Sequence, residues 1–251
     1  MKFLAAFQFL TSIPLPWGRK ASLEELGRSA PYFPVVGLII GLILAGLNLL
    51  FNLILPSAVV NALVIVSLVV ITGALHLDGL IDTCDGAAGH RAVEDRWRVM
   101  HDSRSGAFGI VGVVLLLLVK YAALNSVPES LMLVILVLMP IVSRWAMTYA
   151  IFAYPYARPS GLGKAFKQGT RWPGFTIATV ITFIIAVVLI PLFQMTGLAI
   201  IFGVWLITVM LAAYLKSKFA GLTGDTYGAI NEVAEVSVLI IVLLLVRLGL
   251  A

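Results

Sequence analysis

Residues 33–55 read FPVVGLIIGLILAGLNLLFNLIL, an apolar stretch without a charged side chain. About 20 such residues cross a bilayer as an α-helix, so this stretch predicts a transmembrane helix. Six more runs follow, at about residues 59–77, 106–127, 130–153, 174–194, 196–215 and 234–250. The chain is 61% hydrophobic and only 12% charged, whereas soluble domains carry about 25% charged residues. The composition excludes a soluble fold and predicts one all-α, polytopic membrane domain of about seven transmembrane helices over residues 1–251.

The connections between these runs alternate between basic and non-basic. Lysine and arginine precede the first, third, fifth and seventh runs, as Arg19, Lys20, Arg28, Arg91, Arg96, Arg98, Arg104, Arg158, Lys164, Lys167, Arg171, Lys216 and Lys218. Because these residues are concentrated in short cytoplasmic loops, seven spans place the N-terminus and all basic connections in the cytoplasm. The net charge of +5 follows from this pattern, and such dispersed cations do not predict nucleic-acid binding.

The N-terminal residues MKFLAAFQFLTSIPLPWGRK contain a short apolar stretch followed by Pro14, Pro16 and Trp17. A secretory signal peptide is one interpretation. The stretch lacks a small-residue cleavage pattern, so the favoured interpretation is a short helix that is retained and lies in the membrane interface. The single cysteine, Cys84, excludes a disulfide within the chain.

The most informative polar segment is HLDGLIDTCDGAAGH, residues 76–90. Asp78, Asp82 and Asp85 are spaced four and then three residues apart, so they share one face of a continuous helix. Three carboxylates at a membrane boundary repel one another unless a cation lies among them. Oxygen ligands favour magnesium, manganese or calcium, and the bare backbone at Gly86 suits the approach of a phosphate. The alternative interpretation is a solvated acidic helix end.

Further candidates follow along the chain. Asp102 lies where it can complete a metal site from the opposite helix, and Arg104 is either a phosphate ligand or a topology charge. Arg144 lies inside an apolar run and requires a carboxylate or phosphate partner. The loop YPYARPSGLGKAFKQGTRW, residues 154–172, suits either an anionic substrate or an interfacial aromatic belt.

A second acidic stripe occurs in GLTGDTYGAINEVAEV, residues 221–236. Asp225, Glu232 and Glu235 are spaced seven and then three residues apart, which predicts one helical face. Asp225 is equally suited to capping the last helix. Glu232 and Glu235 lead into an apolar helix, so a merely solvated role suits them less well.

Six motifs in this order resemble the cobalamin synthase family: FLTSIPLP, YFPVVGLIIG, HLDGLIDTCDG, DSRSGAFG, YARPSGLG and GLTGDTYGAINEVAE. The resemblance extends from Phe9 to Glu235. It implies an adenosylcobinamide-GDP ribazoletransferase of late cobalamin biosynthesis, which joins adenosylcobinamide-GDP to alpha-ribazole or its 5′-phosphate and releases GMP. It also implies Mg²⁺ as cofactor and the inner face of a bacterial cytoplasmic membrane as location. It leaves open whether the chain forms a homo-oligomer.

A partial resemblance to the CDP-alcohol phosphotransferases rests on Asp82, Asp85 and Gly86. Asp102 falls one position short of that family's third aspartate, and Gly106 stands where its fourth aspartate is expected. Together the resemblances predict a metal site formed by Asp82, Asp85 and Asp102.

Asp78 is then the candidate general base, with Glu232 or Glu235 as substitutes, and Arg104, Arg144, Asp225 and the acidic stripe are expected to bind substrate. The alternatives to a cobalamin synthase are a CDP-alcohol phosphotransferase and a cation-coupled transporter. The transporter is disfavoured because the acidic clusters are predicted at helix ends rather than at mid-membrane.

Overall fold

The computed structural model describes residues 1–15, 21–89, 92–102, 104–193 and 196–250, and this part of the chain is helical without a named strand. The α-helices are α1 (Lys2–Leu10), α2 (Leu23–Gly27), α3 (Phe33–Asn52), α4 (Ser57–Thr72), α5 (Leu75–Ala87), α6 (Val93–Val99), α7 (Ala107–Ser126), α8 (Glu129–Ala153), α9 (Leu162–Gly169), α10 (Trp172–Phe193), α11 (Thr196–Phe219) and α12 (Gly224–Arg247).

Among the described residues, five helices are long and apolar enough to cross a membrane, and two bent helix pairs raise the number to as many as seven. The five are α3 with the 3₁₀ turn before it, α7, α8, α11 and α12; the bent pairs are α4 with α5 and α9 with α10. The predicted all-helical membrane domain of about seven spans is therefore confirmed, and the short N-terminal helix is present as α1. The orientation of the termini stays a prediction.

The second predicted span differs from a continuous helix. It breaks after Thr72, where Gly73 and Ala74 both adopt left-handed backbone angles, and α5 leaves at 89° to α4. The freed carbonyl groups are satisfied by Ser12, whose backbone N–H donates to Ile71 O at 2.7 Å and whose hydroxyl donates to Val70 O at 2.6 Å. We therefore assign α5 to one end of the bundle, outside the membrane-spanning segments.

Helix α8 forms the centre of the bundle and packs against α3, α10, α11 and α12. Two glycines of α3 bring its backbone close to α8. A Cβ atom would lie 2.6 Å from Val137 Cα if Gly41 carried one, and a Cβ at Gly37 would overlap the backbone of Pro140. Small residues that allow close backbone approach are typical of helix contacts in membranes.

The basic connections come together at one end of the bundle, which we call the basic end. Helix α2 packs on α9, and Trp97 of α6 donates a hydrogen bond to Phe219 O of α11 at 3.2 Å. An isolated parallel bridge joins the loop after α8 to the α11–α12 connection, through Ala157 N to Leu222 O and Leu222 N to Pro155 O, each 2.8 Å. The shared location agrees with the predicted one-sided distribution of charge. Arg19, Lys20 and Arg91 lie outside the described residues.

Candidate active site

The site begins where α5 lies across the first turns of α12. A Cβ atom at Gly79 would lie 2.7 Å from Asp225 O, and one at Gly228 would lie 3.2 Å from His76 Cα. Because these two glycines have no side chain, the helices meet almost backbone to backbone. This contact brings the first turn of α5 beside the first turn of α12.

A cavity of about 510 Å³ opens beside this contact. Its acidic and basic walls come from Asp78 of α5, Asp225 of α12 and Arg158 of the loop after α8. Its remaining walls are largely apolar and aromatic, and they include Phe9, Phe33, Trp97, Tyr156, Phe166 and Tyr227. Concave, mainly apolar sites with a few convergent polar groups are typical of small-molecule binding sites. We therefore take this cavity, which we call the main cavity, as the candidate active site.

Asp225 is held in the main cavity by an ion pair. Arg158 Nη2 lies 3.1 Å from Asp225 Oδ2, and both side chains are largely buried. The predicted capping role belongs to another residue, because the α12 N-cap is Thr223, which exchanges a capping box with Thr226. Asp225 lies in the first turn, where a negative charge is favourable. It thus lies on the wall of the main cavity, and its role in substrate binding stays a prediction.

The carboxylates of α5 have three different environments. Asp78 is exposed to the main cavity, Asp82 is half-buried and Asp85 is buried. Burial first, and then the charges of Asp225, Asp78 and Asp85, raise the pKa of Asp82 to about 7 against the opposing charge of Arg158. Carboxylates therefore crowd around Asp82, and a bound cation would relieve their mutual repulsion.

Asp85 lies apart from the main cavity and binds the start of α7. Its Oδ2 accepts a hydrogen bond from Gly106 N at 2.7 Å, and its Oδ1 accepts one from Gly109 N at 2.9 Å. A carboxylate at a helix N-terminus satisfies free N–H groups and favours the helix dipole. The structure thus gives Asp85 an anchoring contact that the sequence interpretation did not include.

The predicted metal ligands Asp82, Asp85 and Asp102 do not form one cluster. Asp102 is exposed and pairs with Arg104 at 3.0 Å, and the hydrogen bonds from Arg104 lower the pKa of Asp102. Asp102, Arg104 and Asp85 line a separate cavity of about 250 Å³. Within the described ranges, no group of three or more His, Cys, Asp or Glu side chains is arranged to hold a metal ion. The roles of these residues stay predictions.

Gly86 is enclosed by packing, which corrects the expectation that its bare backbone receives a phosphate. A Cβ atom there would lie 2.6 Å from Met100 Cγ and 3.1 Å from Phe219 Cε1. Its carbonyl group accepts a hydrogen bond of 2.9 Å from Arg96 Nη1. The glycine therefore allows α5 to pack closely against its neighbours.

Glu232, Glu235 and Arg144 form a buried ion network with Lys120 of α7. Lys120 Nζ lies 2.7 Å from Glu232 Oε2 and 2.7 Å from Glu235 Oε2, while Arg144 Nη1 donates to Glu235 Oε1. The four side chains are at most 6% exposed, and none of them lines the main cavity.

This network bears on two expectations. Arg144, Glu232 and Glu235 were expected to bind substrate; their charges are neutralised inside the bundle, away from the main cavity, and that role stays a prediction. The acidic clusters were expected at helix ends, whereas Glu232 and Glu235 lie within the packed helices. Arg144 has the carboxylate partner that its position in an apolar run required.

Four polar residues, one in the buried ion network and three lining the main cavity, were missed by the sequence interpretation. Lys120 is a lone cation in the third apolar run, and an intramembrane charge is a recognised signal of this kind. Arg158 was noted only as a topology charge in a loop suited to anions. His76 and Tyr227, both in quoted motifs, line the main cavity and are 2% and 3% exposed.

Comparisons with known proteins give a consistent result. The family model described as cobalamin-5-phosphate synthase matches residues 2–243. The protein named adenosylcobinamide-GDP ribazoletransferase of Geotalea daltonii is 38% identical over 93% of this chain and 93% of its own length. Proteins of the same name from Desulforamulus reducens and Pseudomonas syringae pv. syringae are 36% and 37% identical over 95% and 98% of this chain, and over 94% and 100% of their own lengths. No solved structure gives a significant match.

Proposed function

The chain belongs to the cobalamin-5-phosphate synthase family, and we propose that it is an adenosylcobinamide-GDP ribazoletransferase that joins adenosylcobinamide-GDP to alpha-ribazole or its 5′-phosphate. The proposal is supported by the names of relatives that align over nearly the whole chain. The observation that links the proposed activity to particular residues is that Asp78 and the Arg158–Asp225 pair line the same cavity. A pyrophosphate diester needs cations at its oxygens, and an attacking hydroxyl needs a base.

The reaction replaces a phosphoanhydride link with a phosphoester link. A ribose hydroxyl oxygen of the acceptor forms a bond to the phosphorus on the cobinamide side, and the bond from that phosphorus to the bridging oxygen breaks. The electron pair of the broken bond leaves on GMP, and the hydroxyl proton passes to a base. Catalysis then depends mainly on aligning the two oxygens and stabilising the developing charge.

Asp78 is the proposed base, because it is the exposed carboxylate of α5 in the main cavity. Glu232 and Glu235 are poor substitutes since both are committed to Lys120. Arg158 is proposed to turn toward the phosphate oxygens when substrate enters, while Asp225 holds its guanidinium group in place beforehand.

The proposed cofactor is Mg²⁺, held by Asp82 together with Asp225. This donor set fits because burial, and after it the charges of neighbouring carboxylates, raises the pKa of Asp82 to about 7. Mg²⁺ usually takes one or two protein carboxylates, with substrate phosphates and water as its other ligands, so a cage of three protein ligands is not required. When bound, the ion would neutralise negative charge on the phosphate oxygens and on the departing GMP.

The proposed location is the bacterial cytoplasmic membrane, with the main cavity open to the cytoplasm. It is supported by the grouping of the basic connections at the same end as the cavity.

A cysteine placed at His101, which is exposed beside the cavity, tests the orientation in a Cys84→Ser background. An impermeant thiol reagent is expected to label it in inside-out vesicles and not in right-side-out vesicles. Labelling only from the periplasmic side would contradict the orientation.

The activity is tested by measuring GMP release from adenosylcobinamide-GDP by the lipid-reconstituted chain, with and without alpha-ribazole. We expect release that requires the acceptor and yields a cobalamin-type product. Asp78→Asn is expected to lower the rate about 10²- to 10⁴-fold as for a lost general base, and Arg158→Gln about 10²- to 10³-fold. Glu94→Gln removes an exposed carboxylate outside the cavity and is the matched control. No acceptor-dependent release by folded protein would refute the proposed function.

A further inference from the structure

The wall of the main cavity contains a buried imidazole nitrogen without a partner. His76 lines this cavity and is 2% exposed, and its Nε2 has no hydrogen-bond partner in the described part of the chain. Buried polar groups of native proteins are nearly always hydrogen-bonded. A group bound in the cavity can supply the partner of this nitrogen.

The protonation state of His76 follows from its other ring nitrogen. Asn231 Nδ2 lies 3.1 Å from His76 Nδ1 and 3.3 Å from Glu235 Oε1. The Glu235 carboxylate, ion-paired with Lys120 and Arg144, only accepts hydrogen bonds, so the amide of Asn231 must direct its NH₂ group toward it. The second amide hydrogen then faces His76 Nδ1. That nitrogen must be the acceptor, which places the imidazole proton on Nε2.

A doubly protonated ring does not fit this arrangement. A hydrogen on Nδ1 would face the amide hydrogen of Asn231. Burial disfavours the imidazolium ion, as do the positive charges of Arg144 on α8 and Lys120 on α7, against the single opposing charge of Glu235 on α12. His76 is thus a neutral side chain whose free atom is an N–H donor.

Two more cavity-lining side chains have unpartnered buried polar atoms, Arg158 at Nε and Tyr227 at its hydroxyl. Each of these atoms carries a hydrogen that it can donate. Together with His76 they form a set of three donors beside the carboxylates Asp78 and Asp225. Such a set suits an acceptor with several anionic oxygens, as in a phosphate or pyrophosphate group.

On the basis of the proposed function, we propose that His76 is a neutral hydrogen-bond donor whose Nε2–H binds a phosphate oxygen of the pyrophosphate substrate, in a tautomer fixed by Asn231 and Glu235. Arg158 and Tyr227 supply the neighbouring donors. The imidazole exchanges no proton in the reaction. It stabilises the anionic oxygens, and the proton of the acceptor hydroxyl goes elsewhere.

Two substitutions separate a donor from a base. The side-chain Nε2 of glutamine reaches the position of the imidazole Nε2 and carries hydrogen, but it cannot act as a base at neutral pH. His76→Gln is therefore expected to keep a larger part of kcat/KM for adenosylcobinamide-GDP than a variant without a donor. His76→Phe lacks the donor and is expected to lose about 10- to 100-fold, as for a hydrogen bond to a charged group. Equal deep losses in both variants, or no loss in His76→Phe, would overturn the proposal.

The tautomer is measured directly on the unchanged chain. The sequence has three histidines, so ¹⁵N-histidine labelling gives few signals, and those of His76 are identified by their loss in His76→Gln. We expect a non-protonated Nδ1 and a protonated Nε2 that do not titrate around neutral pH. A proton on Nδ1 would refute the assignment even if GMP release is normal. Conversely, failure of wild-type GMP release would count against the proposed function and leave this tautomer result standing.

Discussion

Replacing Lys120 with methionine tests the buried ion network. Lys120 lies 2.7 Å from a carboxylate oxygen of both Glu232 and Glu235, and Arg144 provides the second positive charge. Two cations and two carboxylates give a neutral cluster, so Lys120→Met leaves one uncompensated negative charge inside the bundle. Removing one partner of a buried ion pair costs about 3–5 kcal/mol. We expect the free energy of unfolding to fall by about this amount.

A compensating variant makes this prediction specific to charge. Lys120→Met combined with Glu232→Gln restores neutrality, because Arg144 and Glu235 then remain as a single ion pair. The double variant is expected to be more stable than Lys120→Met alone, and therefore strongly non-additive. Lys216→Met, which removes an exposed cation of α11, is the matched control and should change stability little.

Stability is measured by reversible unfolding of the detergent-solubilised protein with SDS, followed by tryptophan fluorescence. A Lys120→Met variant that is no less stable than Lys216→Met would refute charge neutralisation in this network. The same would follow if the double variant lost as much stability as Lys120→Met and Glu232→Gln lose when their separate effects are added.

Three further predictions concern the site. Gly79→Ala places a Cβ atom 2.7 Å from Asp225 O, so it should separate α5 from α12. We expect it to lower the free energy of unfolding by about 1–3 kcal/mol and to slow GMP release. Gly46→Ala is the control: a Cβ atom there has nothing within 4 Å, so stability and rate should stay near wild type. Asp85→Asn should lower the unfolding midpoint, because one oxygen facing Gly106 or Gly109 becomes an NH₂ group. It should also lower GMP release with little loss of membrane insertion, because the start of α7 is no longer held against α5; an unchanged midpoint and rate would contradict this anchoring role. EDTA should stop GMP release and added Mg²⁺ should restore it without a change in circular dichroism, whereas release in EDTA would exclude the metal proposal.

The spans and the acidic helix are predictable from sequence because both are local patterns. Runs of apolar residues mark the helices regardless of what they pack against, and the spacing of Asp78, Asp82 and Asp85 places them on one helix, as found in α5. The direction of that helix is not a local property. Ala74 adopts a left-handed backbone conformation that alanine rarely takes, and only the surrounding contacts impose it.

The grouping of the charges is the part that sequence could not supply. The carboxylate partners of Lys120 lie 112 and 115 residues away along the chain, and no periodicity connects them. Asp85 and Asp82 appear equivalent in the motif, yet one binds the start of α7 and the other lies among carboxylates. These differences arise from which neighbour each helix face meets. The resemblance to the cobalamin synthase family is confirmed by the matches along the chain, but it could not assign the residues to their places.

The hydrogen bonds of Ser12 to the end of α4 imply an order of events during synthesis. Ser12 leaves the ribosome 58 residues before Val70, the carbonyl group to which its hydroxyl donates. These hydrogen bonds therefore form only after the second hydrophobic segment has been synthesised. A cleavage after Ser12 would remove both donors from the end of α4. The turn between α4 and α5 thus depends on a residue that is synthesised before either helix.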